Sequence, residues 1–597
     1  MHRQSVLLIA LTALAAVLPL LLRGASCGHD FDFHLLSWME VARDWHQGLP
    51  WPHWIASANY GAGEPRLVFY PPGSWLLGAA LRSLVGLTAA PAMFTAVCLF
   101  GGGVAMYRLA RIWLADAPAS AAAGLYVANP YTLFVAYERS AYGELLAAAI
   151  LPLLLLCALR RRPSITGLSL TTAAIWLANA PAGVIAIYTL VVIAVIRLLI
   201  GRRVRPLLRI AAGGALGLAL AAFYLVPAVY EERWVEIRRA IHPGMRIEDS
   251  FLFAHTGDVF HDAVLHTASW IAMLLFAVWL AGAFLWWRGI AGHSSTVAQQ
   301  DATSGMVMIP AAAKPVGADN RLLTLAVLAP LILCLLLPVS DVLWRHAPEL
   351  AFLQFSWRWL MLLCVISALF CAGGLEALRI RLARPPGAAL VLAGIAAVIA
   401  VSIAVSTTHF YQPCDDEDAI AAQHQVFLQG TGVEGTDEYT PRGADNSAIQ
   451  QGLPLVRLLR APDAESVDSS RGENPAWRPD PAAEIGNSGI TNSGIDVQRW
   501  TAERKRIVVE SARSGYLVLR LMDYPAWQVR RNGVLLGGRP RRKDGLLVAP
   551  VTAGHTTIDV RWPAMRDVWI GRATSLLALC ILAGLLLSRR KRTTRPV

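Results

Sequence analysis

The chain has 597 residues, 55% of them hydrophobic and only 16% charged, with a mean hydropathy of +0.47. This balance excludes a water-soluble enzyme and a disordered chain, and apolar blocks reaching the ~20 residues that span a bilayer as a helix exclude a transmembrane β-barrel. The net charge of +12 is gathered in short clusters between apolar runs: Arg160-Arg161-Arg162, Arg202-Arg203, Arg379/Arg381/Arg384 and Arg589-Arg590-Lys591-Arg592. That is the positive-inside pattern of cytoplasmic loops, not the continuous basic face of a nucleic-acid binder.

Met1-His2-Arg3 and the apolar run 5–22 could be a signal peptide or a first helix. Gly24-Ala25-Ser26 before Cys27 lacks the apolar residue of a lipoprotein cleavage site, so an uncleaved helix with a cytoplasmic amino end is expected. Residues 23–90 form a first outer loop, in which 72–87, carrying Arg82, lies on the outer leaflet as an amphipathic element. Spans follow at roughly 91–111, 117–134, 143–159, 165–179, 181–199, 206–228, 264–287, 321–342, 357–378, 386–407 and 567–588. With the first helix this gives a polytopic α-helical membrane protein of about twelve spans, with both termini cytoplasmic.

The transmembrane domain so defined covers 1–407, with a second outer loop at 135–143, a third at 229–263 and a polar cytoplasmic linker at 288–320. An extracytoplasmic domain at 408–566 and a final helix with a basic tail at 567–597 complete the chain. The first half of the outer domain (430–496) is rich in Gly, Asp, Asn and Pro and has no helical period. Its second half alternates like β-strands at Arg506–Glu510, Tyr516–Leu521, Trp527–Arg530, Leu546–Val548 and Thr557–Trp562, with a turn at Asn532-Gly533, and predicts a small β-sandwich. Six of the eight cysteines lie in or beside apolar spans. The other two, Cys27 and Cys414, are read as free thiols in preference to a bridge.

Ionisable groups are nearly absent from the middles of the spans, where a transporter would need them. They gather at the outer face. Gly28-His29-Asp30-Phe31-Asp32-Phe33-His34 places two carboxylates and two histidines at a membrane edge, suited to a general base or a divalent cation. On a helix starting there, Asp30 and His34 share a face and Asp32 points elsewhere; the plain alternative is that Asp30 caps the helix. Glu64 lies in Tyr60-Gly61-Ala62-Gly63-Glu64-Pro65 and Tyr70 in Phe69-Tyr70-Pro71-Pro72-Gly73, and the aromatics there suit sugar stacking or an interfacial belt. Glu138-Arg139 and Glu144 bracket a helix break as an ion pair or a site. In Gln354-Phe355-Ser356-Trp357-Arg358-Trp359 the guanidinium could hold a phosphate or anchor the helix at the lipid boundary. Arg233, Arg238, Arg239 and Arg246 are alternative phosphate holders. Asp437 and Glu438 in Gly435-Thr436-Asp437-Glu438-Tyr439 could close over a substrate or form an acidic turn.

In this order, with Gly48-Leu49-Pro50-Trp51-Pro52, Asp523-Tyr524-Pro525-Ala526-Trp527-Gln528-Val529 and Pro550…Gly554-His555, the motifs resemble the bacterial "6-pyruvoyl-tetrahydropterin synthase-related" membrane proteins. These are similar to the YfhO-like group of the GT-C glycosyltransferase superfamily. The usual Phe-Pro-Trp-Arg is Phe355-Ser356-Trp357-Arg358 here, and the zinc-binding histidines of pterin synthases are missing. The resemblance implies a GT-C-like fold in the bacterial inner membrane. It also implies transfer of a sugar from a polyprenyl-phosphate donor, on the outer face, to a glycan, lipid or protein acceptor. Carried over, the aspartate that acts as base or helps bind a metal is Asp30, with Asp32 in reserve; His34 would orient that carboxylate or bind the sugar, and the resemblance implies no certain cofactor and leaves a divalent cation open. The competing expectations are a non-catalytic scaffold of envelope assembly and a lipid-carrier transporter.

Overall fold

The computed structural model describes residues 1–300, 319–382, 385–466, 478–480, 482 and 494–593. Most of the expected cytoplasmic linker, Arg384, and the stretches 467–477 and 483–493 of the outer domain lie outside the described residues.

The membrane part is built from α1 (Arg3–Arg23), α2 (Phe31–His46), α3 (Arg66–Phe69), α4 (Pro72–Val85), α5 (Ala90–Ala110), α6 (Asp116–Val127), α7 (Pro130–Tyr137), α8 (Tyr142–Ala158), α9 (Ile165–Ala178), α10 (Ala180–Gly201), α11 (Val204–Leu220), α12 (Ala222–Glu231), α13 (Val259–Gln300), α14 (Asn320–Leu335), α15 (Asp341–His346), α16 (Leu360–Arg381) and α17 (Pro385–His409). After α18 (Ile420–Gln429) and the strands comes α19 (Arg566–Thr593). Every expected span falls on one of these helices or on a consecutive pair of them. Among the described residues seven helices are long and apolar enough to cross a membrane, or up to nine if each of two bent pairs is one span. The bends are 71° between α11 and α12, and 92° between α14 and the turn leading into α15.

The other three expected spans fall on shorter helices, for local reasons. The span at 117–134 is divided into α6 and α7 where Asn129 caps α7 through Tyr131 N–H and Pro130 supplies its first residue. α8 and α9 have 17 and 14 residues, roughly 25 and 21 Å at 1.5 Å per residue. The element expected on the outer leaflet is α4, and it is not merely a surface helix. Its Trp75 is fully buried, and a Cβ on Gly78 would fall 2.0 Å from the Trp38 indole of α2, so the glycine lets the two helices meet. α13 runs on to Gln300, into the stretch expected as the linker.

The C-terminal region forms two antiparallel sheets. β1 (Val456–Leu459), β4 (Gly515–Met522) and β7 (Leu546–Val551) make one, in the order β1-β4-β7. β2 (Ile495–Trp500), β3 (Arg504–Ser511), β5 (Gln528–Arg531), β6 (Val534–Leu535) and β8 (Gly554–Arg561) make the other, in the order β2-β3-β8-β5-β6. Asn532 and Gly533 take φ of 48° and 80° between β5 and β6, the left-handed pair of a two-residue hairpin turn. Alternate residues of β3 and β8, among them Ile507, Val509, Ile558 and Val560, are fully buried between the sheets. This core continues into the segment between α2 and α3. Trp54 packs edge-on against Trp527 at 5.1 Å and near Tyr524 at 6.2 Å, so the sheets rest on the helical part through buried aromatic surface.

The free-thiol expectation for Cys27 and Cys414 is overturned. The two form a disulfide with Cα atoms 4.9 Å apart, within the usual range for a bridge. The residues after α1 and those after α17, 387 residues apart in sequence, are brought side by side by packing that sequence distance hides.

Candidate active site

The site is assembled from three chain breaks. The first lies between α1 and α2. Asp30 stands at the N-cap of α2, but its side chain makes no capping bond, so the plain capping alternative does not account for it. The segment is instead held by its backbone: His29 N–H donates to Glu138 O at 3.3 Å, Asp30 N–H to Arg139 O at 2.9 Å and Gly28 N–H to Ser140 Oγ at 3.2 Å. A Cβ on Gly28 would sit 2.4 Å from Glu138 O, so only glycine allows this approach. Gly28→Ala is therefore expected to move Asp30 away from Arg139 while leaving the helices inserted. The check is faster amide hydrogen exchange at residues 28–30 with an unchanged melting curve for the helical part.

The second break joins α7 to α8. Ser140 turns the chain at φ 46°, which carries Arg139 inward and sets Glu144 in the first turn of α8, where the helix dipole favours a carboxylate. Arg139 Nη1 donates to Glu144 Oε2 at 2.7 Å, and Tyr131 Oη donates to Glu144 Oε1 at 2.6 Å. Arg139 also reaches Asp30 Oδ2 at 3.5 Å. Its side chain is 5% exposed and that of Asp30 37%, so the aspartate stands at the mouth of a buried ion pair. Burial alone would weaken the Arg139 cation, but Glu144 and Asp30 outweigh it and hold the guanidinium above its usual range.

The third break precedes α16. Ser356–Trp359 form a 3-10 turn, and the departure from Phe-Pro-Trp-Arg finds a local reason here. Ser356 N–H donates to Ser250 Oγ at 2.9 Å, and its hydroxyl donates to Ser250 O. A proline could make neither bond. The turn aims Arg358 at Glu144, with Nε 3.7 Å from Oε2. Its Nη1 donates to Leu353 O at 2.8 Å, while Nε is buried without a hydrogen-bond partner. Phe355 stacks on Trp357 at 4.3 Å, and both guanidinium carbons lie over the Phe355 ring, Arg139 at 5.5 Å and Arg358 at 5.2 Å. Two buried cations thus face one buried carboxylate, with Asp30 half-exposed beside them.

Around this centre, His34 is buried one turn along from Asp30, its Nε2 3.4 Å from Tyr70 Oη and its Nδ1 unpartnered. Burial lowers its pKa to about 4, so the ring is neutral at pH 7. An unfolded chain binds that proton below an ordinary value of about 6.5. Stability is therefore expected to be complete above pH 6.5 and to fall as the pH drops toward 4, and His34→Gln should remove this part of the dependence. Melting temperatures of the two proteins at pH 7 and pH 5 check it. Asp32 is exposed and accepts its neighbour Phe33 N–H at 2.7 Å, away from Arg139 as its helical position predicts.

Sequence reasoning missed the third loop's contribution. Phe260 stacks on His29 at 4.9 Å, and His261 lies 6.0 Å from Trp357. The loop's arginines drew attention there, yet Arg239 turns to Asn446 Oδ1 at 3.3 Å and Arg233 lies 3.8 Å over Tyr230.

Four further residues of the motifs singled out in sequence, Gln354, Glu64, Asp437 and Glu438, make their contacts with groups other than Arg139 and Arg358. Gln354 Nε2 donates to Ala240 O at 2.9 Å. Glu64 is fully buried against Arg66 at 2.6 Å and accepts Thr436 N–H at 2.7 Å. Arg66 also covers the Phe33 ring at 4.0 Å and donates to Phe33 O at 3.2 Å, so this pair latches the 435–439 loop onto the first turn of α2. Asp437 accepts from Asn446 Nδ2 at 2.8 Å. Glu438 is half-buried, and burial, with Glu64 nearby, raises its carboxyl to about 7.

Beside the cluster, a cavity of about 680 Å³ opens between α13, α16 and α17. Its walls include Trp270, Ile271, Leu274, Val398 and Val405, and it reaches Asn129, two residues before Tyr131. Among the described residues no group of three or more His, Cys, Asp or Glu side chains is arranged to hold a metal ion.

The family model described as 6-pyruvoyl-tetrahydropterin synthase related domain, membrane protein, matches residues 67–412, more than half of the chain. The chain belongs to this family. In this 6-pyruvoyl-tetrahydropterin synthase related protein, the matched stretch carries Arg139, Glu144 and Arg358 and begins after Asp30. No curated protein matches the sequence. Among solved structures the family member is similar to the mycobacterial arabinofuranosyltransferase AftD, with 18% identity and a TM-score of 0.42 over 72% of this chain and 29% of that one. It is also similar to the apo oligosaccharyltransferase of Archaeoglobus fulgidus, with 14% identity and a TM-score of 0.40 over 73% of this chain and 57% of that one. The chain thus spans less than a third of the first and just over half of the second.

Proposed function

We propose that the chain is a membrane glycosyltransferase. It takes a sugar from a polyprenyl-phosphate donor at the outer face of the bacterial inner membrane and passes it to a hydroxyl of a glycan, lipid or protein. The observation that carries this reading is the half-exposed Asp30 carboxylate 3.5 Å from a buried Arg139, itself joined through Glu144 to Arg358. Asp30 accepts the acceptor's proton as its oxygen attacks the anomeric carbon. The bond from that carbon to the phosphate oxygen breaks, and the guanidiniums hold the charge that grows on the leaving phosphate. The apolar cavity beside Asn129 suits the donor's hydrocarbon chain, and His34, Tyr70 and Trp357 shape the approach to Asp30. Asp32 faces away and is the reserve base.

A divalent cation at Asp30 would stand against the Arg139 guanidinium at 3.5 Å, and among the described residues no group of three ligands gathers there. In this reading the short helices α6 to α9 complete twelve crossings. The orientation follows the arginine clusters, with both termini inside. The test reconstitutes the protein in vesicles made with total lipid of the source membrane and follows free polyprenyl phosphate by mass spectrometry. Release that depends on the protein and on an added acceptor fraction supports the reading. Movement of intact lipid-linked sugar across the vesicle without release supports a transporter instead.

A further inference from the structure

The Asp30 segment is the middle member of three chain stretches. On one side its amides bond to residues 138–140, as described above. On the other, Cys27 N–H donates to Gln412 O at 2.9 Å, and Gln412 N–H donates to Ser26 Oγ at 2.9 Å. Ser26 Oγ in turn donates to Tyr137 O at 2.8 Å, Ser140 Oγ donates to Ser26 O at 2.7 Å, and Gln412 Nε2 donates to Glu138 Oε2 at 2.6 Å. Thus Ser26, Ser140 and Gln412 tie all three stretches into one network, four residues before Asp30. The single covalent tie in it is Cys27–Cys414, and the other six cysteines are free.

We infer that the Cys27–Cys414 bridge is a positioning element that holds the Asp30 segment against Arg139, made by a dithiol–disulfide exchange partner on the outer face. This rests on the reading of Asp30 given above. The physical reason is the shape of the segment. Residues 24–30 have no helix or strand of their own, so their place depends on edge-to-edge hydrogen bonds, each of which water can replace. A covalent link between stretches 387 residues apart keeps residues 411–414 beside the segment at high effective concentration, so the network reforms whenever it opens.

A pair like this persists where thiols are oxidised, not in the cytoplasm, which agrees with an outer-face location for Asp30. In forming it, the Cys27 thiolate attacks the disulfide of the partner and gives a mixed disulfide. The Cys414 thiolate then attacks the Cys27 sulfur and expels the partner's thiolate, leaving the partner as a dithiol that carries the two electrons and two protons.

The experiment uses the full chain in vesicles, with and without a membrane-impermeant phosphine reductant, and with Cys27→Ser, Cys414→Ser and the double variant. Alkylation before and after reduction first counts the free thiols. Hydrogen exchange then reads the amides of residues 24–34. The bridge reading expects Cys27 and Cys414 to be alkylated only after reduction, and exchange of Gly28, His29 and Asp30 to rise about tenfold on reduction and in all three variants alike. It also expects kcat for sugar transfer to fall by a similar factor with the donor KM unchanged, because Arg139 and Arg358 stay in place. Reoxidation restores wild type but not the variants. Two cysteines alkylated without reduction, exchange that does not change, or exchange that rises while kcat holds would each overturn it. If wild type transfers no sugar at all, the transferase reading fails, and exchange alone decides whether the bridge holds the segment.

Discussion

Asp30→Asn is expected to lower sugar transfer by about 10²–10⁴-fold, the usual contribution of a positioned general base, while leaving the protein folded and inserted. The amide keeps the shape of the carboxylate and the backbone bonds of Asp30 to Arg139 O, so nothing in the packing changes. It loses only the capacity to accept a proton and the charge that faces Arg139 Nη2 at 3.5 Å. Donor binding should hold or tighten, since the guanidiniums lose a competitor for the phosphate. Asp32→Asn, on an exposed carboxylate turned away from the arginines, should leave the rate within about twofold, as for a substitution remote from the reacting groups. Initial rates with both variants check the pair. Full activity of Asp30→Asn would remove the residue from its catalytic role.

The second large effect falls on stability. Arg139→Met leaves Glu144 buried, 3% exposed, with only Tyr131 and the more distant Arg358 as partners. Removing one partner of such a pair costs about 3–5 kcal/mol, because the remaining charge stays out of water. The double variant Arg139→Met with Glu144→Gln should recover part of that loss, since a neutral amide no longer needs the cation. Arg358→Met should cost less in stability, because its Nε lies 3.7 Å from Glu144 and forms no hydrogen bond there. It should cost more in transfer, because that unpaired edge is free to take a phosphate oxygen. Thermal denaturation of the four proteins in detergent separates these outcomes.

The sequence carried the apolar blocks well because hydropathy needs no tertiary context: each expected span meets a helix, and alternation in residues 504–561 finds the main strands. It did not carry β1, where four residues of an otherwise Gly- and Asp-rich stretch pair with β4 from Val456↔Leu519 to Leu459↔Tyr516. A strand that short is set by its partner, not by its own pattern. The site was legible in part. Asp30, Arg139, Glu144 and Arg358 stand out in sequence as charged residues beside apolar runs, and they converge. Glu64 stands out through its Gly- and Pro-shaped loop and instead forms a buried latch with Arg66 and Thr436, which local sequence cannot distinguish from a binding carboxylate. The contacts of Phe260 and His261, and the bridge from Cys27 to Cys414, depend on stretches far apart in the chain and left no local signal.

The most direct measurement compares polyprenyl-phosphate-linked sugars and surface glycans in a strain lacking this gene, complemented with wild type or Asp30→Asn. The account predicts that the lipid-linked donor accumulates in the deletion, that one glycan loses a single sugar, and that wild type alone reverses both changes. Equal complementation by Asp30→Asn, or glycans and donor pools unchanged by the deletion, would contradict it.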